Sequence, residues 1–263
     1  MTRFVRCLVD GEPTYGVLDG DEVALIEPHP FATHRPTGRR VPVEGLRLLA
    51  PVIPSKIVAV GRNYADHAAE LGGTVPDEPL LFLKPSTAVI GPGDPIRLPT
   101  DVSADVHHEG EVAVVIGALI SRVTPEVAAK AILGVTCAND VTLRDVQRRE
   151  SQWARAKGFD GSCPLGPAIT TGLDLADLRV RTSVDGEPRQ DGHTRDMVFD
   201  IPGLVAEISR TMTLLPGDVV LTGSPAGVGP LRPGERVRVE IDGVGALENP
   251  VVDRDAEPSA ATA

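Results

Sequence analysis

Aromatic side chains are scarce in this chain: one Trp, two Tyr and five Phe among 263 residues. Any core must therefore rest on Val, Leu, Ile and Ala. Cysteine is also sparse. Cys7, Cys137 and Cys163 are odd in number and widely spaced, with no CxxC pair. That argues against a disulfide framework or a zinc site and fits a reducing cytosol. Basic charge is in deficit, with a net charge of −11 and no dominant basic cluster. Nucleic acid and anionic membrane are poor partners for such a chain. The N-terminus lacks the apolar core of a signal peptide, and no apolar run approaches the length of a membrane span. A cytoplasmic location is the expectation. There is no internal repeat and no low-complexity block.

What is present reads as an ordinary globular composition, 41% hydrophobic and 24% charged. The length suits one large domain, or one plus a small appendage. Residues 1 to about 27 read as an antiparallel meander, because Asp10-Gly11 and Asp19-Gly20 separate short apolar runs. Pro28 to Pro42 shows no periodicity and reads as a connector, with His29 and His34 solvated. The divisions expected are 1–50 for a small N-terminal β domain and connector, 51–252 for the main domain, and 253–263 for a frayed tail. Short helices are expected at Tyr64–Leu71, from Thr124 to Gly134, and from Asp200 to Met212. Strands outnumber helices, without a regular βαβα alternation. This predicts a β-rich α+β fold.

The chemistry concentrates in His108-Glu109-Gly110-Glu111, which runs into Val-Ala-Val-Val-Ile. That run reads as a strand, so Glu109, Glu111, Ala113 and Val115 share one face and Val112, Val114 and Ile116 the other. Two adjacent carboxylates repel unless a cation or a proton sits between them. A divalent metal resolves this; a solvated strand end with two surface acids resolves it as well. A third acid, Asp140, follows the β-prone run Gly134–Asn139, either at the end of a buried strand or as an ordinary turn residue. Thr142 with Asp145 reads as a capping box for a helix over about Leu143–Gln152. Arg144 and Gln147 share one face of it. Lys157 lies among small residues, where a cation near three acids is useful, or where a surface lysine sits. His67 and Glu70 are three apart on the short helix, hence on the same side. Val219–Leu221 leads through Thr222-Gly223-Ser224 into a glycine-rich loop, where the backbone can approach a ligand or simply turn.

Taken together, these segments resemble the fumarylacetoacetate hydrolase superfamily. The pattern runs through Gly61-Arg62-Asn63-Tyr64-Ala65-Asp66-His67, Phe82-Leu83-Lys84-Pro85-Ser86, His108-Glu109-Gly110-Glu111 and Asn139-Asp140-Val141-Thr142. It continues in Ala156-Lys157-Gly158-Phe159-Asp160, Gln190-Asp191-Gly192-His193 and Leu221-Thr222-Gly223-Ser224-Pro225. Ser224 stands where threonine is more usual, and His193 where asparagine is common. The resemblance implies a mixed β-roll catalytic domain, a small N-terminal β domain and a homodimer. It implies Glu109, Glu111 and Asp140 as metal ligands. An all-oxygen set suits Mg²⁺ or Mn²⁺, with Ca²⁺ also compatible. It implies His67, Glu70 and Lys157 as catalytic groups, with His67 and Glu70 on a mobile lid. Arg62, Arg144, Gln147, Thr222 and Gly223 would bind substrate.

The activity this implies is hydrolysis of a C–C bond in an acylpyruvate-type 2,4-dioxo acid, giving pyruvate and a carboxylic acid. The alternatives are oxaloacetate-type decarboxylation and keto–enol isomerisation of a 2-hydroxy-dienoate, since all three pass through an enolate. A catalytically inactive binding protein would show a missing ligand, lysine or lid pair, and none is missing here.

Overall fold

The computed structural model describes residues 1–70 and 72–255. Among them, the largest sheet has twelve strands. Its main path runs Arg35–Pro42, Glu22–Glu27, Glu12–Asp19, Arg3–Val9, Cys163–Thr170, Ile132–Asn139, Gly110–Ile116, Val219–Leu221, Ile57–Gly61 and Leu80–Lys84. The N-terminal meander thus continues directly into the main sheet, with Arg3 opposite Thr170. Its first turn has positive φ at both Asp10 (53°) and Gly11 (84°), the twist that a two-residue hairpin needs. A five-stranded sheet (Glu187–His193, Arg179–Val184, Arg236–Ile241, Gly245–Asp253, Ile96–Leu98) and a three-stranded one complete the β structure.

The five α-helices among the described residues are short: α1 (Ala65–Glu70), α2 (Pro125–Ala131), α3 (Arg144–Arg149), α4 (Ala154–Lys157) and α5 (Ile201–Thr211). α5 begins where expected. The Asp200 side chain accepts the Gly203 N–H at 2.8 Å and caps the first turn. Its Leu204, Val205 and Ile208 are buried with α2 and with Val112, Val114 and Ile116 of the central strand. The alternate residues Ala113 and Val115 join a separate cluster with Ile57, Leu165 and Leu221. Both faces of Gly110–Ile116 are therefore covered, and the strand is buried along its whole length.

Several expectations need correction. Residues 35–42 are an edge strand paired with Glu22–Glu27, and not a connector. They are exposed at nearly every position, so no apolar alternation marks them. Cross-strand ion pairs of Arg35 with Glu27 and Arg40 with Glu22 line that edge. His29 and His34 are half-buried: His34 packs edge-on against Phe4 at 5.4 Å between centroids, and His29 sits near Tyr15 at 6.4 Å. The expected helix over 143–152 is only α3, and Thr142 does not cap it. Thr142 lies in a two-residue strand opposite His107, with its hydroxyl donating to the Asp140 carbonyl at 2.8 Å. Asp145 instead accepts from the Ser103 hydroxyl at 2.5 Å. α2 stops at Ala131, because Ile132 already begins a strand. Leu71 and residues 256–263 of the expected tail lie outside the described residues. Asp253 closes the last strand, and the Arg254 N–H donates to the Leu98 carbonyl at 3.0 Å.

Candidate active site and metal centre

The three acids meet because two antiparallel strands end side by side. Glu111 pairs with Ala138 and Gly110 with Asn139, so the start of one strand faces the end of the other. The Asp140 N–H donates to the Glu109 carbonyl at 2.8 Å, and the Glu109 N–H to Asn139 Oδ1 at 2.9 Å. Glu109, Glu111 and Asp140 are all buried, and one oxygen from each lies within 4.8 Å of the others. The reading of Glu109 and Glu111 as surface acids therefore fails.

Three cations are buried with them. Lys157 Nζ donates to Glu109 Oε2 and Asp140 Oδ2, each at 2.7 Å. Arg144 donates to Glu109 Oε1 at 2.5 Å and to Gln147 at 2.6 Å. Lys84 Nζ donates to Asp140 Oδ1 at 2.6 Å and to the Lys157 carbonyl. Burial alone would raise the Glu109 carboxyl, but Lys157 and Arg144 outweigh it and hold Glu109 below the usual carboxylate range. Glu111 differs. Its only hydrogen-bond donor is the Gly223 N–H, at 2.8 Å, and no cation pairs with it among the described residues. Burial first, then the charges of Asp140 and Glu109, push its pKa well up. A divalent ion at this cluster would supply the charge that Glu111 lacks. Three buried carboxylates with oxygen-only donors therefore fit Mg²⁺ or Mn²⁺.

These acids line a cavity of 290 Å³ together with Arg62, His67, Arg144, Gln147, Lys157 and Ser224. Its apolar wall is Val60, Phe82 and Trp153. The two rings meet edge-on at 5.3 Å, and Lys157 Nζ sits 5.2 Å from the Phe82 centroid. His67 is buried in the wall, with its Nδ1 3.1 Å from Glu70 Oε2. Both Glu70 oxygens accept the Gly227 N–H, at 3.0 and 3.2 Å, which ties α1 to the glycine-rich loop.

The family described as fumarylacetoacetate (FAA) hydrolase C-terminal matches residues 56–252, three quarters of the chain. The chain belongs to the fumarylacetoacetate hydrolase family. A second family, described as Rv2993c-like, N-terminal, matches residues 2–51. Oxaloacetate tautomerase YcgM of Escherichia coli is 47% identical over 207 residues, covering 76% of this chain and 93% of its own. The crystal structure of 2-hydroxyhepta-2,4-diene-1,7-dioate isomerase from Mycobacterium marinum superposes with a TM-score of 0.90 at 43% identity, covering 97% of this chain and all of that one. Maleylpyruvate hydrolase from Sphingobium sp. SYK-6, solved with manganese(II) and pyruvate, gives 0.79 at 33% identity, covering 95% and 99%. The β-rich α+β architecture is thus the fold of this family.

Of the family's implied site residues, nine line or border one cavity: Arg62, His67, Glu70, Glu109, Glu111, Asp140, Arg144, Gln147 and Lys157. Two side by side do not open into it. The Thr222 hydroxyl donates to the Val112 carbonyl at 2.8 Å, and Gly223, at φ 98°, directs its N–H to Glu111. A Cβ at Gly223 would come within 2.8 Å of Asn63 Cβ. Their neighbour Ser224 reaches the cavity instead.

Sequence reasoning missed two residues. Lys84 is fully buried beneath the acids. Gln190 accepts the Gly110 N–H at 2.9 Å and donates to the Ser224 hydroxyl at 2.6 Å. It thereby joins the start of the acid-bearing strand to the glycine loop. Both lie inside the motifs that carry the resemblance, and that was the only signal available.

Proposed function

We propose that the chain is a divalent-metal-dependent tautomerase that interconverts the enol and keto forms of a short 2-oxo acid of the oxaloacetate class. The observation that carries this reading is the shared cavity. A buried imidazole oriented by a carboxylate stands in the same wall as three carboxylates fitted to a cation. Similarity to an oxaloacetate tautomerase at 47% identity supports the choice of reaction. When bound, the cation supplies Lewis acidity for a carbonyl oxygen of the substrate. The chain's own groups do the rest. Glu70 accepts the Nδ1–H of His67 and fixes the tautomer, leaving Nε2 to move a proton to and from carbon 3. Lys157, held by Glu109 and Asp140, offsets negative charge that develops on substrate oxygen. The Phe82–Trp153 wall keeps water from that side of the cavity.

C–C hydrolysis of an acylpyruvate, the reaction expected from sequence, is the second reading. Similarity to a maleylpyruvate hydrolase solved with manganese and pyruvate favours it. It requires His67 to deprotonate water rather than carbon. Parallel assays with Mg²⁺ separate the two. Decay of enol oxaloacetate absorbance reports tautomerisation, and pyruvate release from acetylpyruvate reports hydrolysis. The tautomerase reading predicts rapid enol decay, slowed about 10²–10⁴-fold by His67→Ala, the usual range for a general acid–base group. Pyruvate release at a comparable or higher turnover, with no acceleration of enol decay, would overturn it in favour of hydrolysis.

A further inference from the structure

Four cationic side chains other than histidine line the cavity: Arg62, Arg144, Arg148 and Lys157. Three are already committed to protein carboxylates. Arg144 and Lys157 hold Glu109, and Arg148 donates to Asp105 at 3.1 Å. Arg62 alone has no carboxylate partner among the described residues. It is half-buried, and an unpaired guanidinium so placed lacks the counter-charge that cations in clefts normally acquire.

Its backbone is unusual too. Arg62 has φ 58°, a region that residues with a side chain seldom occupy and that tends to mark ligand-binding positions. The guanidinium lies against Gly73: a Cβ there would sit 3.1 Å from Arg62 Cζ and 3.2 Å from Nη1. A side chain at 73 would push the guanidinium aside by a few tenths of an ångström. The sheet fixes where Arg62 emerges. Leu221 pairs with both Ala113 and Ala59, so the strand bearing Glu111 and the strands that lead into Gly223 and Arg62 are consecutive neighbours that reach the cavity at one edge. Two inter-strand spacings place the Arg62 backbone about 10 Å from that of Glu111. A short molecule with an acid at each end can bridge from the cation centre to the guanidinium.

We infer that Arg62 is the specificity determinant for a second, distal carboxylate, so that the site selects 2-oxo dicarboxylates over 2-oxo monocarboxylates. This rests on the 2-oxo-acid reading above. Electrostatics agrees. Lys84, Lys157 and Arg144 match the three acids in number, so a divalent ion and Arg62 leave the loaded site positive, as a dianion requires.

The test is calorimetric titration of the Mg²⁺-loaded protein, wild type, Arg62→Met and Arg62→Lys, with three stable probes. 2-Oxoglutarate and 2-oxopentanoate have the same chain length and differ only in the distal carboxylate. Oxalate chelates without a distal group. The expected result is a wild-type preference for 2-oxoglutarate over 2-oxopentanoate of about 10- to 100-fold, the range for a charged hydrogen-bond pair. Arg62→Met should erase it by weakening 2-oxoglutarate alone, and Arg62→Lys should keep part of it. Unchanged oxalate affinity in Arg62→Met shows that the fold and the cation site are intact. Equal wild-type affinities for the two five-carbon acids, or a preference surviving Arg62→Met, would overturn the inference while leaving the 2-oxo-acid reading in place. Failure of oxalate to bind wild type would overturn both.

Discussion

Glu111 is the residue on which the proposed metal centre turns. Lys157, Arg144 and Lys84 already pair with Glu109 and Asp140, whereas Glu111 has only a backbone N–H. Glu111→Gln keeps the shape and removes the unmatched charge. It should weaken Mn²⁺ binding by calorimetry at least 10-fold while leaving the thermal transition near wild type, because ligand and near-ligand changes commonly cost about 10- to 100-fold in affinity. Unchanged Mn²⁺ affinity would remove Glu111 from the centre. Lys84 behaves oppositely. Removing it leaves Asp140 with a buried oxygen it had shared, so Lys84→Met should cost about 3–5 kcal/mol in denaturant unfolding. A cost under about 1 kcal/mol would mean that the Lys84–Asp140 pair is energetically idle. The pairing of Glu109 with Glu111 was legible in sequence, since alternation places both on one face, although Glu109 lies just before the strand Gly110–Ile116. Lys84 was not. A lysine at the end of an apolar strand reads as an exposed terminus, and its partners lie 56 and 73 residues away. The Thr222 hydroxyl, turned to a main-chain carbonyl, was equally invisible, because a glycine-rich loop gives no sign of which way its side chains point.

At the scale of elements, the sequence reading succeeded where burial imposes a period and failed where it does not. The meander, the central strand and α5 carry apolar periodicity or turn chemistry that only one arrangement satisfies. The edge strand Arg35–Pro42 is exposed everywhere but at Val41, so its sequence carries cross-strand charge pairs in place of an apolar pattern. Thr142 offered a plausible cap, but pairing with His107 claimed its backbone first. One element junction carries a pH signature. Asp218, fully buried at the turn before Val219, accepts from the Ser55 hydroxyl at 2.6 Å, the Leu215 N–H at 2.8 Å and the Lys56 ammonium. Burial alone would raise its pKa, but these bonds, led by Lys56 and Ser55, hold it below the usual carboxylate value. A depressed carboxylate stabilises the fold above its unfolded pKa of about 4, and that stability disappears as pH falls through the folded value. Asp218→Asn should therefore cost about 3 kcal/mol at neutral pH. The gap to wild type should narrow steadily below about pH 4. A gap independent of pH would show that the charge of Asp218 does not matter.

For the whole molecule, the fold was legible through ordered motifs more than through any one element. Lacking a βαβα rhythm, the chain read as β-rich α+β, and the twelve-stranded sheet is that architecture. What the sequence hid was continuity, since the N-terminal meander and the main domain share one sheet across Arg3 and Thr170, far apart in the chain. No helix among the described residues is long and apolar enough to cross a membrane. The main sheet ends on an open edge, Leu80–Lys84, where Leu80 and Leu83 are exposed. With the homodimer proposed from the resemblance, sedimentation at micromolar protein should give about twice the chain mass of 27.7 kDa. A single species at the chain mass would reject the dimer. The net charge of −11 is no obstacle to an anionic substrate, because the cavity's cations balance its acids and a bound divalent ion would add positive charge there. The proposed role of the Glu109–Glu111–Asp140 cluster is to hold the metal on which enol–keto conversion depends. Stopped-flow absorbance of enol oxaloacetate tests it most directly, using chelator-treated wild type, the same protein with Mn²⁺ restored, and Glu111→Gln with Mn²⁺. The prediction is decay at the uncatalysed rate for the first, strong acceleration for the second, and loss of most of that acceleration for the third. Acceleration by the chelated protein, or undiminished acceleration by Glu111→Gln, would contradict it.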